Sequence, residues 1–139
     1  MKTTLEGKRI LLIDNQSSWR EAAGDVLAKR NFLVKTLDAH SYSEPKCYVH
    51  GGAPDVVILG CARVKSHERR LINKILSHKR HLLILCGALP REETRQLFLA
   101  GADDVTEKPY SPSSLLQIVG EAFAGRETHD SFRERMLKK

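Results

Sequence analysis

The stretch LAGADDVTEKPYSPSSL, residues 99–115, contains the strongest fold signals in the chain. Gly101 is placed to end a helix, and the residues from Asp104 to Glu107 to form a short strand. A Lys108-Pro109 pair follows, and Pro112 is placed to start another helix. The stretch therefore predicts helix, strand and helix in succession, which is the unit of a parallel α/β sheet.

Four short apolar runs precede this stretch and are predicted to be strands. They are residues 9–13, 32–37, 56–59 and 82–85. Amphipathic segments separate them, so five strands alternate with five helices. The weakest helix is expected within residues 41–50, with Pro45 in its first turn and Gly51-Gly52 at its end. This alternation predicts an α/β fold with a five-stranded parallel sheet and helices on both faces.

The 139 residues are enough for one domain, and 41% hydrophobic with 29% charged residues is an ordinary globular balance. We expect the domain to occupy residues 1–124. Residues 125–139 are expected to be a polar tail or linker, with a helix through Phe132, Met136 and Leu137 as one option.

Cysteine content and hydropathy favour a cytoplasmic protein. The three cysteines, Cys47, Cys61 and Cys86, suggest a reducing compartment rather than a disulfide framework. No apolar run approaches the roughly 20 residues that a membrane span needs. The first residues show no cleavable signal pattern. We therefore expect no membrane contact.

Positive charge is concentrated between residues 63 and 80, where Glu68 is the only acid. The cations there are Arg63, Lys65, Arg69, Arg70, Lys74, Lys79 and Arg80. Such a cluster indicates an acidic partner surface, a phosphate-bearing ligand or simply a solvated helix face. Residues 63–81 contain no interleaved aromatic side chains, which disfavours nucleic acid.

Parallel α/β sheets bind ligands at the carboxyl ends of their strands. Residues just after the predicted strands are therefore the candidates for chemistry. They are Asp14-Asn15, Gly60-Cys61, Cys86-Gly87 and Lys108-Pro109.

Three stretches make residues 8–124 resemble the receiver domain of two-component response regulators. They are LLID at 11–14, APDVVIL at 53–59 and the stretch at 99–115. The resemblance implies a flavodoxin-like, CheY-like (βα)5 fold with strand order 2-1-3-4-5. It also implies a role in signal transduction.

Receiver chemistry, as the resemblance implies it, joins several groups in one pocket. An acidic pair after strand one holds Mg²⁺, and an aspartate that ends strand three accepts a phosphoryl group. A Thr or Ser that ends strand four and a Lys before Pro contact the phosphoryl oxygens. Cations are needed because a carboxylate nucleophile and a phosphoryl group repel each other.

Most of this set is replaced when it is carried over to the sequence. Asp14 and Lys108 match, but Asn15 stands at the second acidic position, Gly60 at the phosphoacceptor position and Cys86 at the Thr/Ser position. We therefore interpret the chain as a degenerate receiver, or pseudo-receiver, without the phosphoacceptor. We expect no catalytic residue, no metal and no cofactor.

Two geometric expectations follow for the last part of the pocket. Without a metal or a phosphoacceptor, Lys108 should turn towards Asp14 or towards carbonyls at the strand ends. The resemblance also implies a cis peptide between Lys108 and Pro109, although few X–Pro bonds in folded proteins are cis.

Other carboxylates are poorly placed to replace the missing aspartate. Asp55, Asp103 and Asp104 precede their strands, so we expect them at the opposite rim of the sheet.

Partner-binding candidates come from the usual receiver face of helix four, strand five and helix five. Arg91, Arg95 and Leu99 recur at every fourth position of one helix, and Val105 stands where the family has an aromatic switch residue. Arg69 and Arg70 in the basic segment are a second candidate. The alternative for Leu99 is a scattered surface leucine without a partner, which is common in soluble proteins.

The sequence thus predicts a non-enzymatic module that binds a protein partner in a signalling pathway. An acidic surface on that partner is one option. Two alternatives stay open. One is a phosphorelay receiver with unorthodox chemistry, and the other is a nucleic-acid or phosphate-ligand binder that uses segment 63–80.

Overall fold

All five predicted strands form in the computed structural model, which describes residues 6–109 and 111–125. The strands are β1 Arg9–Asp14, β2 Leu33–Leu37, β3 Val56–Gly60, β4 Leu82–Cys86 and β5 Asp104–Glu107. They pair in parallel as one sheet in the order β2-β1-β3-β4-β5. The sheet order implied by the resemblance is therefore confirmed.

Four α-helices cover the sheet in the described residues; three of them connect strands, and the fourth follows β5. They are α1 Ser17–Ala28, α2 Ser66–Ser77, α3 Arg91–Ala100 and α4 Leu115–Gly125. Buried side chains of α1 and α4 join one hydrophobic cluster, and those of α2 and α3 join another. The sheet thus has a helical layer on each face, as predicted.

Strand β1 shows why the sheet needs two layers. Leu11 and Ile13 pack into one hydrophobic cluster and Ile10 and Leu12 into the other, and all four are fully buried. Each such side chain contributes about 1.5–3 kcal/mol when it leaves water. A continuous apolar run is therefore stable only when helices cover both faces.

The α-helix expected within residues 41–50 does not form, so this expectation was wrong. Two short 3-10 helices, Ala39–Ser41 and Pro45–Cys47, stand in its place. His50 and Gly51 then adopt positive φ angles and close a tight turn. Proline cannot continue a helix begun before it, because it lacks the N–H group and its ring clashes with the preceding turn. The segment is therefore irregular.

Gly101 ends α3 with a φ of 119°, as predicted from its position. No helix in the described part of the chain is both long and apolar enough to cross a membrane. The expectation for residues 125–139 falls almost entirely outside the described residues.

Candidate functional site

The carboxyl ends of β1 and β3 and the residues that follow β5 border a cavity of 360 Å³ at one edge of the sheet. Asp14 and Gly60 are register partners at the ends of adjacent strands. The cavity is lined by four of the five predicted pocket residues, Asp14, Asn15, Gly60 and Lys108. The parallel topology therefore brings together residues that lie far apart in the sequence.

Asp14 is the best-buried charged residue of the site, with 2% of its surface exposed. Its Oδ2 atom lies 2.8 Å from Lys108 Nζ, and its Oδ1 accepts a hydrogen bond of 2.8 Å from the Gln16 N–H. Lys108 turns towards Asp14, as predicted. The carboxylate has a cation on one oxygen and a backbone donor on the other.

The Asp14 carboxylate also occupies the space beside Gly60. A Cβ atom built on Gly60 would lie 2.2 Å from Asp14 Oδ2, and the three nearest heavy atoms all belong to Asp14. Real Cβ atoms essentially never approach a neighbour closer than 3.0 Å. The side-chain conformation of Asp14 therefore requires glycine at position 60.

Lys108 is held by three groups of the β1–α1 region. Besides Asp14, its Nζ lies 4.5 Å from the centre of the Trp19 ring and 3.3 Å from Gln16 Oε1. An aromatic face and an anion both attract an ammonium group. The amine thus connects the end of β5 to the start of α1.

The peptide between Lys108 and Pro109 is trans, and the cis expectation was wrong. The trans isomer is the intrinsically favoured form of an X–Pro bond by about 0.5–1 kcal/mol. The Lys108 N–H also donates to the carbonyl oxygen of Cys86 at 2.9 Å, which continues the pairing of β5 with β4.

Asn15 is exposed and contacts the irregular segment. Its Oδ1 accepts a hydrogen bond of 2.7 Å from the Ala39 N–H. The Asn15 amide oxygen therefore bonds to the backbone at the start of the first 3-10 helix.

Cys86 does not line the cavity. Its side chain is 2% exposed and packs in a hydrophobic cluster. Burial raises the pKa of the Cys86 thiol. Burial also raises the pKa of the Cys61 thiol to about 12, and nearby negative charges add a smaller contribution there. Both thiols are therefore protonated at neutral pH, and neutral thiols are poor nucleophiles and ligands.

Glu68 and Gln16 line the cavity but were not among the predicted site residues. Glu68 is almost buried, its Oε1 accepts a 2.7 Å hydrogen bond from the Lys65 N–H, and its Oε2 contacts His67 Nε2. The available signal was its spacing, since an acid three residues after the residue that precedes a helix is typical of a capping box.

The site does not fit the magnesium ion that the receiver fold implies. Asp14 Oδ1 and Glu68 Oε1 accept backbone hydrogen bonds, and Asn15 Oδ1 accepts from the Ala39 N–H. Asp14 Oδ2 has no hydrogen bond in the described residues, but it faces the Lys108 ammonium group at 2.8 Å, and this cation stands where a metal ion would have to approach. Within residues 6–109 and 111–125, no three His, Cys, Asp or Glu side chains form a group that could hold a metal. Mg²⁺ requires free oxygen ligands in near-octahedral geometry.

Carboxylates that precede strands lie at the opposite rim, as predicted. Asp55 Oδ2 accepts from the Arg9 N–H at 2.7 Å, and Asp103 Oδ2 accepts from the Leu82 N–H at 2.8 Å. Both acids therefore stabilise the amino ends of strands, away from the cavity.

The predicted partner residues lie outside the cavity. Leu99 is 50% exposed, whereas its neighbours Leu97 and Phe98 are buried. Arg91 on the same helix is exposed, and Arg95 lies within 3.8 Å of Glu92. The remaining candidates are Val105, which is half-buried on β5, and the exposed Arg69 and Arg70 on α2.

Comparisons with known proteins support the fold. No protein-family model matches the sequence, and no curated protein is significantly similar to it. The response regulator DrrB of Thermotoga maritima superposes with a TM-score of 0.63 at 24% identity. That match covers 87% of this chain and 54% of DrrB, so this chain spans about half the length of DrrB.

Two other structures match over nearly the whole length of their chains. The chemotaxis protein CheY4 of Vibrio cholerae has a TM-score of 0.69 at 18% identity, over 84% of this chain and 98% of that one. The orphan response regulator HP1043 of Helicobacter pylori gives 0.64 at 22%, over 84% and 98%. At these identities the likeness establishes the fold, which is that of CheY-like receiver domains.

Proposed function

We propose that this receiver-fold chain is a signalling module that works without phosphoryl transfer and acts by binding a protein partner in the cytoplasm. One observation carries the proposal. The carboxylate of Asp14 fills the space beside Gly60 and is paired with Lys108.

Charge balance explains why this pairing matters. A receiver needs a free carboxylate nucleophile, a metal and a lysine that is available to the phosphoryl oxygens. Here residue 60 has no side chain, and the amine of Lys108 already neutralises Asp14 at 2.8 Å. The ion pair would have to break before Lys108 could stabilise an incoming phosphoryl group.

The proposed partner surface is formed by α3 and β5. Leu99 supplies an exposed apolar side chain, and Arg91 and Arg95 recur on the same helix at intervals of four residues. Arginine beside an apolar anchor is a frequent composition at protein interfaces. Val105 replaces the aromatic residue of the family, so a ring-flip switch is absent from the proposed mechanism.

The phosphorylation part of the proposal is tested with acetyl phosphate and Mg²⁺. The intact mass of the chain should stay unchanged after incubation, because position 60 offers no nucleophile and Asp14 is buried against Lys108. A Gly60→Asp variant is the matched comparison, and we expect no gain from this single change either. A stoichiometric phosphoryl adduct on the unsubstituted chain that is labile in alkali would overturn the proposal.

A further inference from the structure

The cations between residues 63 and 80 fall into two groups. The later group is Lys74, Lys79 and Arg80, of which Lys79 is exposed beyond the end of α2. The other two hold the irregular segment: Lys74 Nζ donates to the Tyr42 carbonyl oxygen at 3.4 Å, and Arg80 forms an ion pair with Glu44. Their positive charge is therefore used within the fold.

The earlier cations have no such role. This group consists of Arg63, Lys65, Arg69 and Arg70, which we call the α2 basic surface. All four are exposed. None of them forms an ion pair with a carboxylate of the described residues. Their charge is presented to the surroundings.

The backbone that carries this surface is anchored at several points. The Cys61 N–H donates to the Leu85 carbonyl at 2.9 Å, and the Gly87 N–H donates to the Ala62 carbonyl at 3.1 Å. The Lys65 N–H donates to Glu68 Oε1 at 2.7 Å. A partner would therefore meet cations on an ordered loop and helix, with little backbone entropy to lose.

Lys65 directly precedes the first residue of α2, and Arg69 is the fourth residue of that helix, so two of the four charges stand near its positive amino end. The first turn of a helix has a partial positive charge, so cations there are unfavourable. Glu68 is the only acid in that turn, and its two oxygens contact Lys65 N–H and His67. Residues that break a local rule without a compensating contact within the fold are expected at functional sites.

We propose that the α2 basic surface binds an acidic segment of a partner protein. Three of its four cations are arginines, whose planar guanidinium groups suit carboxylates in bidentate contacts. The only large apolar side chains exposed in the described part of the chain are Tyr48 and Leu99, so this surface has no aromatic platform for bases. The surface is separate from the one around Leu99, and the proposal goes beyond the function proposed above.

The test measures binding of a fluorescein-labelled oligoglutamate peptide to the full chain at low salt by fluorescence anisotropy. The test variant changes all four residues of the α2 basic surface to Gln. The control variant changes four other exposed cations to Gln, namely Lys29, Arg30, Lys46 and Lys79. Both variants lose the same formal charge, so they differ only in where the charge is removed.

We expect the dissociation constant to rise at least about tenfold in the test variant and less than about threefold in the control. The test variant should also keep its melting temperature, because all four side chains are exposed and none forms an ion pair within the described residues. That result separates lost binding from lost folding.

Three outcomes would overturn the proposal. They are equal weakening in both variants, no oligoglutamate binding by the unsubstituted chain, and tighter binding of a DNA duplex than of the peptide at the same salt. Equal weakening would mean that the net charge of the chain, and not the α2 basic surface, determines peptide binding. Tighter binding of DNA would identify the surface as a nucleic-acid site.

Discussion

The contact between Asp14 and Gly60 makes a sharp prediction about Gly60→Ala. The added methyl group would lie 2.2 Å from Asp14 Oδ2, so that oxygen must retreat to at least 3.0 Å. The movement disturbs the 2.8 Å contact with Lys108. Overpacking of this kind typically destabilises a protein by about 1–3 kcal/mol.

The backbone of Gly60 does not itself oppose the change. Gly60 is not among the residues with positive φ, and it lies in a strand where alanine is allowed. In a compatible conformation, Gly→Ala stabilises by about 0.4–1 kcal/mol because it restricts the unfolded chain. The sign of the effect therefore depends on whether Asp14 is present.

A double-mutant cycle isolates this dependence. Gly60→Ala is introduced into the unsubstituted chain and into a background with Asp14→Ala and Lys108→Met, which removes both charges of the pair. We expect destabilisation in the first case, stabilisation in the second, and a coupling energy of about 2 kcal/mol between them.

The free energy of unfolding is measured in urea, with the fluorescence of Trp19, the only tryptophan, as the signal. Circular dichroism of the helices serves as a second probe of the same transition. Equal effects of Gly60→Ala in the two backgrounds would refute the claim that Asp14 fills the space beside Gly60.

Three further predictions concern other contacts. Lys108→Met should destabilise the chain by about 3–5 kcal/mol in urea unfolding, since it leaves the Asp14 carboxylate buried without its cation. Leu99→Asp should change the free energy of unfolding by less than about 0.5 kcal/mol. In a pull-down, the Leu99→Asp variant should fail to bind a protein that is bound by both the wild-type chain and the matched Tyr48→Asp variant. Burial raises the pKa of Cys61 from 9.0 to about 12. The neutral thiol of Cys61 should therefore contribute fully to the free energy of unfolding below pH 9, and this contribution should be lost as the pH rises towards 12. Unfolding measured over a pH series should show this fall in the wild type and a smaller fall in Cys61→Ala.

Hydrophobic pattern was sufficient to predict the sheet. The runs that became β1, β3 and β4 are apolar at nearly every position, and such short runs are stable only when covered on both faces. Gly101 marked the end of α3 because a positive φ suits glycine best. These signals depend only on residues close together in the chain, so a single sequence is enough to recognise them.

The irregular segment was less predictable because its contacts are not local. Tyr42 and Cys47 are buried, but the groups that hold the segment come from Asn15, Lys74 and Arg80, which lie far from it in the sequence. No periodic pattern reports such contacts. Asp14, Asn15, Gly60 and Lys108 were predictable members of the cavity because they follow or end strands. Cys86 was wrongly included and Glu68 was missed, because the direction of a side chain and the position of a helix start depend on tertiary packing.

The site supports one more step of reasoning about residue 60. Glycine there has two effects, because it removes a side chain from the end of β3 and leaves the space that the Asp14 carboxylate occupies. From that position Asp14 holds Lys108, whose ammonium group also contacts the Trp19 ring and Gln16. The carboxylate that holds the Lys108 side chain at the cavity is therefore that of Asp14. A new aspartate at position 60 would have to displace Asp14, and it would then compete with Asp14 for the same cation. We therefore expect a phosphoacceptor at position 60 to need coordinated changes at the ends of β1, β3 and β4, and we expect any single substitution to lower stability before it creates activity.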